Sequence, residues 1–201
     1  FRYSLFVLER VARCQVPVKV DRHFSSAGRA APRKGPRFGN KREHITSWYA
    51  EHMSCAASAL PPSLTVLGAG AWGTVIASLL ARNGHRVTLW ANRQGLADVI
   101  NGSGRNDEYL PGVEVSPGVT ATADLTAALA ERPVTFLAVP SRAFRSVCAR
   151  MHGSGAAAAV VSCSKGLEIA TFKRLTEVAA EFLPSTPLAA LSGPNLAAEI
   201  A

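Results

Sequence analysis

Three glycines constrain this chain more than any other feature. In SLTVLGAGAWG (Ser63 to Gly73) an apolar run ends at Gly68, and Gly70 and Gly73 complete the spacing G-x-G-x-x-G. The run reads as a strand. The stretch behind it, WGTVIASLLARNG, places apolar residues at helical spacing and stops at Gly84, a helix-ending residue. That strand-to-helix context is what gives the spacing chemical meaning. Gly68 allows the tight turn, Gly70 lets backbone approach a pyrophosphate, and Gly73 lets the helix pack close to the strand. The helix start then presents free N–H groups and about half a positive charge to an anion. The competing reading is a plain strand–turn–helix, and the flanks favour the phosphate cradle.

From Leu64 onward strand and helix patterns alternate. HRVTLWA, GVTATA, PVTFLAVP, AAAAVVSCS and PLAALSGP read as five more strands. GLADVING, DLTAALAE, SRAFRSVCARMH, TFKRLTEVAAEFL and NLAAEIA read as helices, with Asp124 and Thr171 placed as N-caps. The segment 101–116 is a loop, pinned in this reading by Tyr109, Leu110 and Pro111. PVTFLAVP is continuously apolar, as a parallel strand covered on both faces should be. The expected class is therefore α/β, a Rossmann-type doubly wound parallel sheet over residues 63–201, incomplete at its C-terminal end.

Residues 1–62 differ in character. The first sixty residues hold eleven Lys/Arg against four Asp/Glu, whereas the remainder is nearly balanced. The pI of 9.9 is thus a property of the head and does not make the body a nucleic-acid binder. RAAPRKGPRFGNKRE lacks apolar spacing and is expected to be disordered. The first Met is Met53. The head therefore reads as a leader, either an Arg-rich plastid or mitochondrial transit segment or sequence derived from an untranslated region upstream of Met53, which would leave a cytosolic protein. Acidic Glu9, Asp21, Glu43 and Glu51 count against a clean transit peptide. A nucleic-acid arm is the weakest reading, because no aromatic pattern accompanies the charges. The four cysteines, Cys14, Cys55, Cys148 and Cys163, show no C-x-x-C spacing, so neither a metal site nor a disulfide framework is indicated. No apolar run approaches a membrane span.

Several residues then compete for roles. At the end of the second strand, LWANRQ, a site for NAD usually carries Asp or Glu for the ribose hydroxyls. Here stand Asn92 and Arg93. A guanidinium binds a 2′-phosphate in a fork and a carboxylate repels one, which favours NADPH, with NADH possible. The alternative is an ordinary surface Arg. Lys165 in SCSKGLE follows a buried strand at its carboxyl end, where ligands of open α/β sheets bind, so a solvated lysine and an anion-binding or carbonyl-binding lysine are about equally supported. In LSGPNLAAE, Asn195 either caps the last helix or offers its amide to a substrate. Trp72 either covers a cofactor or packs. His85 reads as structural and Cys163 as a small buried apolar residue.

Four motifs in order, GAGAWGT, FLAVPS, SKGLE and LSGPNLAAEIA, supported by ARNGHRVTLW and YLPGV, resemble the cofactor-binding half of NAD(P)-dependent sn-glycerol-3-phosphate dehydrogenases of the bacterial and plastid type. The resemblance covers residues 64–201. It implies interconversion of sn-glycerol 3-phosphate and dihydroxyacetone phosphate by hydride transfer, feeding glycerophospholipid and carbohydrate metabolism. It implies cofactor contacts through the cradle Gly68, Gly70, Ala71, Trp72 and Gly73, through Asn92 and Arg93, and through Lys165 and Ala197. Substrate contacts are implied for Lys165, Gly193 and Asn195. Asn195 stands where relatives often have Ser or Thr.

The family also has a second Lys, in a G-x-x-K-N context after the sheet, that moves the proton, and a helical C-terminal domain. This sequence reaches Ala201 before either. The expectation is a cofactor-binding half that is inactive alone, with homodimerisation resting on the longer protein. Rival readings are a reductase of the 6-phosphogluconate or ketopantoate type, against which SKGLE followed by LSGPN argues, and a stand-alone dinucleotide-binding module.

Overall fold

The structure, a computed structural model, describes residues 63–131, 134–154, 157–193 and 195–201. The leader expected over residues 1–62 lies outside them. Six strands form one parallel sheet: β1 (Leu64–Leu67), β2 (Val87–Trp90), β3 (Val119–Thr122), β4 (Val134–Leu137), β5 (Ala159–Ser162) and β6 (Leu188–Ala190). Their order across the sheet is β3-β2-β1-β4-β5-β6. This is the doubly wound order in which a ligand crevice opens where the chain reverses direction, between β1 and β4. The helices are α1 (Ala71–Arg82), α2 (Gln94–Ser103), α3 (Leu125–Leu129), α4 (Ser141–Ser154), α5 (Leu175–Phe182) and α6 (Ala197–Ile200).

Strand side chains alternate between two cores. Leu64, Val66, Leu89, Phe136 and Val161 enter one core together with Ile76 and Leu80 of α1 and Ala97 and Ile100 of α2. Leu67, Trp90, Leu137 and Val160 enter the other, with Leu129, Phe144, Met151 and Val178. Burial on both faces explains why the strands read as continuous apolar runs. Each fully buried Leu or Phe contributes roughly 2 kcal/mol. Polar groups in these strands are satisfied: Thr65 Oγ1 donates to the Ala128 carbonyl at 2.7 Å, and Trp90 Nε1 donates to the Ala123 carbonyl at 3.0 Å.

The edge strand β3 is blunted by a side chain. Asn101 Nδ2 donates to the Ala121 carbonyl and Asn101 Oδ1 accepts from the Ala121 N–H, both at 2.8 Å, which occupies groups that would otherwise invite a seventh strand. Asn101 to Ser103 form the last residues of α2, not the start of the loop expected to begin at 101. Asp124 caps α3 as expected, accepting from Thr126 N at 2.8 Å and Ala127 N at 3.1 Å. Thr171 does not cap α5. The helix begins four residues later, because residues 167 and 174 close an antiparallel bridge and the Glu177 carboxylate accepts from the Arg174 N–H at 2.8 Å. The end of α1 follows the sequence: Gly84, at φ +86°, donates its N–H to the Ala81 carbonyl at 2.9 Å.

Candidate functional site

The glycine turn has the three properties its spacing demands, each for a separate reason. Gly68 sits at φ +115°, and a Cβ there would lie 2.6 Å from the Ala138 carbonyl oxygen. Only glycine lets β1 turn this close to the end of β4. A Cβ on Gly73 would lie 1.8 Å from the Gly68 carbonyl oxygen, so α1 can back onto its own strand only without a side chain. Gly70 differs: a Cβ there would meet nothing within 4 Å. The space beside its backbone is open, and that is the position at which a pyrophosphate must approach. Gly70 is also the N-cap of α1. It offers no side chain to the helix N–H groups, and the first turn of α1 carries no acidic residue. The cradle thus fits an anionic dinucleotide on steric and electrostatic grounds.

A residue that sequence reasoning passed over holds this turn in place. Asn106, fully buried in the loop after α2, donates through Nδ2 to the Ala69 carbonyl at 2.9 Å and to Thr74 Oγ1 at 2.7 Å. Thr74 Oγ1 in turn donates to the Gly70 carbonyl at 2.9 Å. The Ala69 carbonyl is thereby drawn toward the loop and the Gly70 carbonyl into the helix. Asn106 Oδ1 is buried without a hydrogen-bond partner. The loop carries two further ties: Ser116 N–H donates to Ser78 Oγ at 3.3 Å, and Leu110 is buried. Of the three residues expected to pin it, Leu110 is buried, whereas Tyr109 and Pro111 are exposed. The one available signal for Asn106 was a polar residue between a helix-ending glycine and an apolar Leu, which is too common to select.

At the end of β2, Asn92 and Arg93 are both exposed. The Arg93 fork is engaged: its Nη2 donates to Glu108 Oε1 at 2.5 Å and Oε2 at 2.6 Å. The Arg93 guanidinium, with a smaller contribution from the Tyr109 hydroxyl, holds the Glu108 carboxyl below its usual range.

Lys165 and Asn195, thirty residues apart, meet at the carboxyl edge of the sheet. Lys165 Nζ donates to the Asn195 main-chain carbonyl at 2.6 Å. Asn195 is buried, and its N–H donates to the Gly193 carbonyl at 2.8 Å. It does not cap α6, whose N-cap is Leu196. The segment carrying Lys165 is tied to the neighbouring strand end by Ser164 Oγ, which donates to the Leu137 carbonyl at 3.1 Å and the Val139 carbonyl at 2.6 Å. Beyond Lys165, Arg145 grips Glu168 through Nε at 2.6 Å and Nη2 at 2.8 Å, and reaches Glu181 at 2.5 Å. Hydrogen bonds from Arg145, and then from Thr171, lower the Glu168 carboxyl to about 2.

Ala71 and Trp72 open α1, and Trp72 is partly buried against the first core. Ala197 opens α6, which packs on α1. Cys163 is buried and its thiol is pushed up to about 12 by burial. His85 is buried as well. Among the described residues no group of three His, Cys, Asp or Glu side chains could hold a metal ion, and no helix is long and apolar enough to cross a membrane.

The family described as NAD-dependent glycerol-3-phosphate dehydrogenase N-terminus matches residues 63–201. The glycerol-3-phosphate dehydrogenase [NAD(P)+] of Chelativorans sp. is 45% identical over 141 residues, covering 69% of this chain and 43% of that protein. The one from Rhodospirillum rubrum is 44% identical over 140 residues, covering 69% and 40%. The crystal structure of glycerol-3-phosphate dehydrogenase from Coxiella burnetii superposes with a TM-score of 0.66 at 36% identity, over 71% of this chain and 44% of that one. The chain spans less than half the length of these proteins. With its Rossmann sheet, its open glycine cradle and this match over residues 63–201, the chain belongs to the NAD-dependent glycerol-3-phosphate dehydrogenase family, of which it carries the N-terminal part.

Proposed function

We propose that this chain serves as the dinucleotide-holding half of an enzyme that interconverts sn-glycerol 3-phosphate and dihydroxyacetone phosphate. The observation that carries this reading is the convergence of the Lys165 ammonium and the Asn195 main chain on the sheet edge to which the cradle also belongs. The nicotinamide, when bound, supplies a hydride to the ketone carbon or takes one from the alcohol. The chain's own residues bind and orient. Gly70, Ala71 and the start of α1 hold the pyrophosphate; Gly68 and Gly73 permit the approach of strand and helix that forms the cradle. Trp72 and Ala197 line the cofactor. Asn92 and Arg93 lie toward the adenosine ribose, and Arg93 favours NADPH over NADH. Lys165, Gly193 and Asn195 face the substrate. Reduction develops negative charge on the ketone oxygen, and the compact Lys165 ammonium is suited to stabilise it. The proton that this oxygen needs comes, by resemblance, from a second lysine outside residues 1–201.

The enzyme would supply the glycerol phosphate backbone for phospholipid synthesis, and residues 1–52 would direct it to a plastid. A fluorescent fusion of that segment tests the second point: cytosolic signal overturns it.

The activity is tested by joining the rest of the Chelativorans relative after Ala201. The joined protein is expected to oxidise NADPH in the presence of dihydroxyacetone phosphate, and the 201-residue chain is expected not to. Lys165→Ala in the joined protein should lower kcat/KM by roughly a hundredfold, about 3 kcal/mol, while leaving NADPH affinity nearly unchanged. A joined protein that folds and binds NADPH yet leaves dihydroxyacetone phosphate untouched overturns the reading.

A further inference from the structure

Sequence inspection finds no carboxylate at the end of β2, where a site for NAD would have one. The fold brings one in from elsewhere. Glu108 lies fifteen residues beyond Arg93, across α2, and both of its carboxylate oxygens accept from Arg93 Nη2, at 2.5 and 2.6 Å. Its position is not free to wander. Two residues earlier the buried Asn106 is bound to the cradle itself, at the Ala69 carbonyl and Thr74 Oγ1. The same short loop therefore grips the pyrophosphate turn at one point and meets the strand-end guanidinium at the next.

We infer that Glu108 is a cofactor-specificity residue that competes with a 2′-phosphate for the Arg93 guanidinium and so narrows the preference for NADPH over NADH. The inference rests on the reading of this chain as a dinucleotide-holding half and concerns which dinucleotide it takes. The Arg93 fork matches a carboxylate and a phosphate equally well in geometry. A 2′-phosphate must displace Glu108 from the fork and then sit beside its negative charge. A ribose 2′-hydroxyl faces neither cost, and the carboxylate is a ready acceptor for it. Both side chains remain about half exposed, at 57% for Arg93 and 48% for Glu108. Exposed pairs of this kind are weakly held, so the phosphate is taxed and not excluded. A site with a guanidinium and a carboxylate side by side accepts both cofactors, each with one group in its favour.

The test is calorimetric binding of NADPH and of NADH to the 201-residue chain and to Glu108→Gln, Arg93→Ala and the double variant. In the wild type NADPH should bind more tightly than NADH. Glu108→Gln should tighten NADPH by about threefold, the size expected for freeing one exposed ion-pair partner, with no tightening of NADH. In the Arg93→Ala background the same substitution should change the ratio of the two affinities by clearly less, because the displacement cost acts through the guanidinium and only the direct effect of the carboxylate remains. An unchanged ratio in Glu108→Gln overturns the inference, as does a change of equal size without Arg93. Weakening of both cofactors together also overturns it, since that outcome assigns Glu108 a role in loop order alone. A wild-type chain that binds neither cofactor removes the dinucleotide reading itself, and this inference with it.

Discussion

Asn106 donates one side-chain N–H pair to two oxygens on either side of Gly70, the Ala69 carbonyl at 2.9 Å and Thr74 Oγ1 at 2.7 Å. A loop from beyond α2 thus fixes a turn that lies more than thirty residues earlier. The buried, unpartnered Asn106 Oδ1 carries a desolvation cost, so the two donated bonds must outweigh it.

Removing that amide should loosen the cradle. Asn106→Ala leaves the buried Ala69 carbonyl without its side-chain donor and is expected to cost about 2 kcal/mol in urea unfolding. Asn106→Asp should cost more, because it turns a carboxylate toward two oxygens that act as acceptors. Both variants should weaken NADPH and NADH by the same factor, as the turn is common to the two. A larger loss for one cofactor would place Asn106 at the adenosine end instead.

Gly73 and Gly102 should respond oppositely to the same substitution. Alanine is intrinsically better than glycine inside a helix by about 1 kcal/mol. At Gly102 the new Cβ meets nothing within 4 Å, so Gly102→Ala should stabilise the chain by about 0.5 kcal/mol or more. At Gly73 it would stand 1.8 Å from the Gly68 carbonyl oxygen, and the resulting displacement should destabilise by about 3 kcal/mol and abolish dinucleotide binding. Thermal melts of the two variants decide this. A stable, cofactor-binding Gly73→Ala chain would show that α1 is not seated on its strand as described.

Acid should release the segment that carries Lys165. Glu168 is lowered from 4.5 to about 2, first by Arg145 and then by Thr171, and Glu181 falls likewise to about 2 through Arg145 and Lys173. A folded-state value below the unfolded one means the contribution is complete above pH 4.5 and is lost as pH falls from there through about 2. The protection factors of amides in 165–173, taken relative to the intrinsic exchange rate at each pH, should therefore fall across that window. Arg145→Gln should lower protection already at neutral pH and flatten its dependence on pH over this range. Protection factors that stay constant with pH over this range would count against the Arg145 clamp.

Cys148 and Cys163 should be unreactive in the native chain. Both are buried, and burial pushes each thiol up to about 12, so little thiolate exists near neutrality. Alkylation followed by peptide mass mapping at pH 8 should leave these two unmodified until denaturant is added. Rapid native labelling of Cys163 would mean that the β5 end is open to solvent.

Much of this molecule is legible in the sequence. The six strands, their helices and the parallel doubly wound class follow from local physics: a period of 3.6 for helices packed on one side, unbroken apolar runs for strands covered on both, and glycine where the backbone must turn or approach closely. Gly68, Gly70 and Gly73 could be assigned separate tasks because those tasks depend on the missing Cβ, which the sequence states outright. The cap at Asp124 is equally local. What the sequence could not show are relations between residues far apart along the chain. Asn195 reads by position either as a helix cap or as an amide offered to a substrate; it is buried, does not cap α6, and its carbonyl receives the Lys165 ammonium. Thr171 reads as a cap too, but a bridge between residues 167 and 174 delays the helix. Arg93 reads as an unopposed cation, since its carboxylate partner arrives from a loop beyond the next helix. Propensity and spacing act over a few residues and are written in the sequence. Hydrogen bonds and ion pairs depend on distances of about 3 Å, which only the closing of the sheet sets.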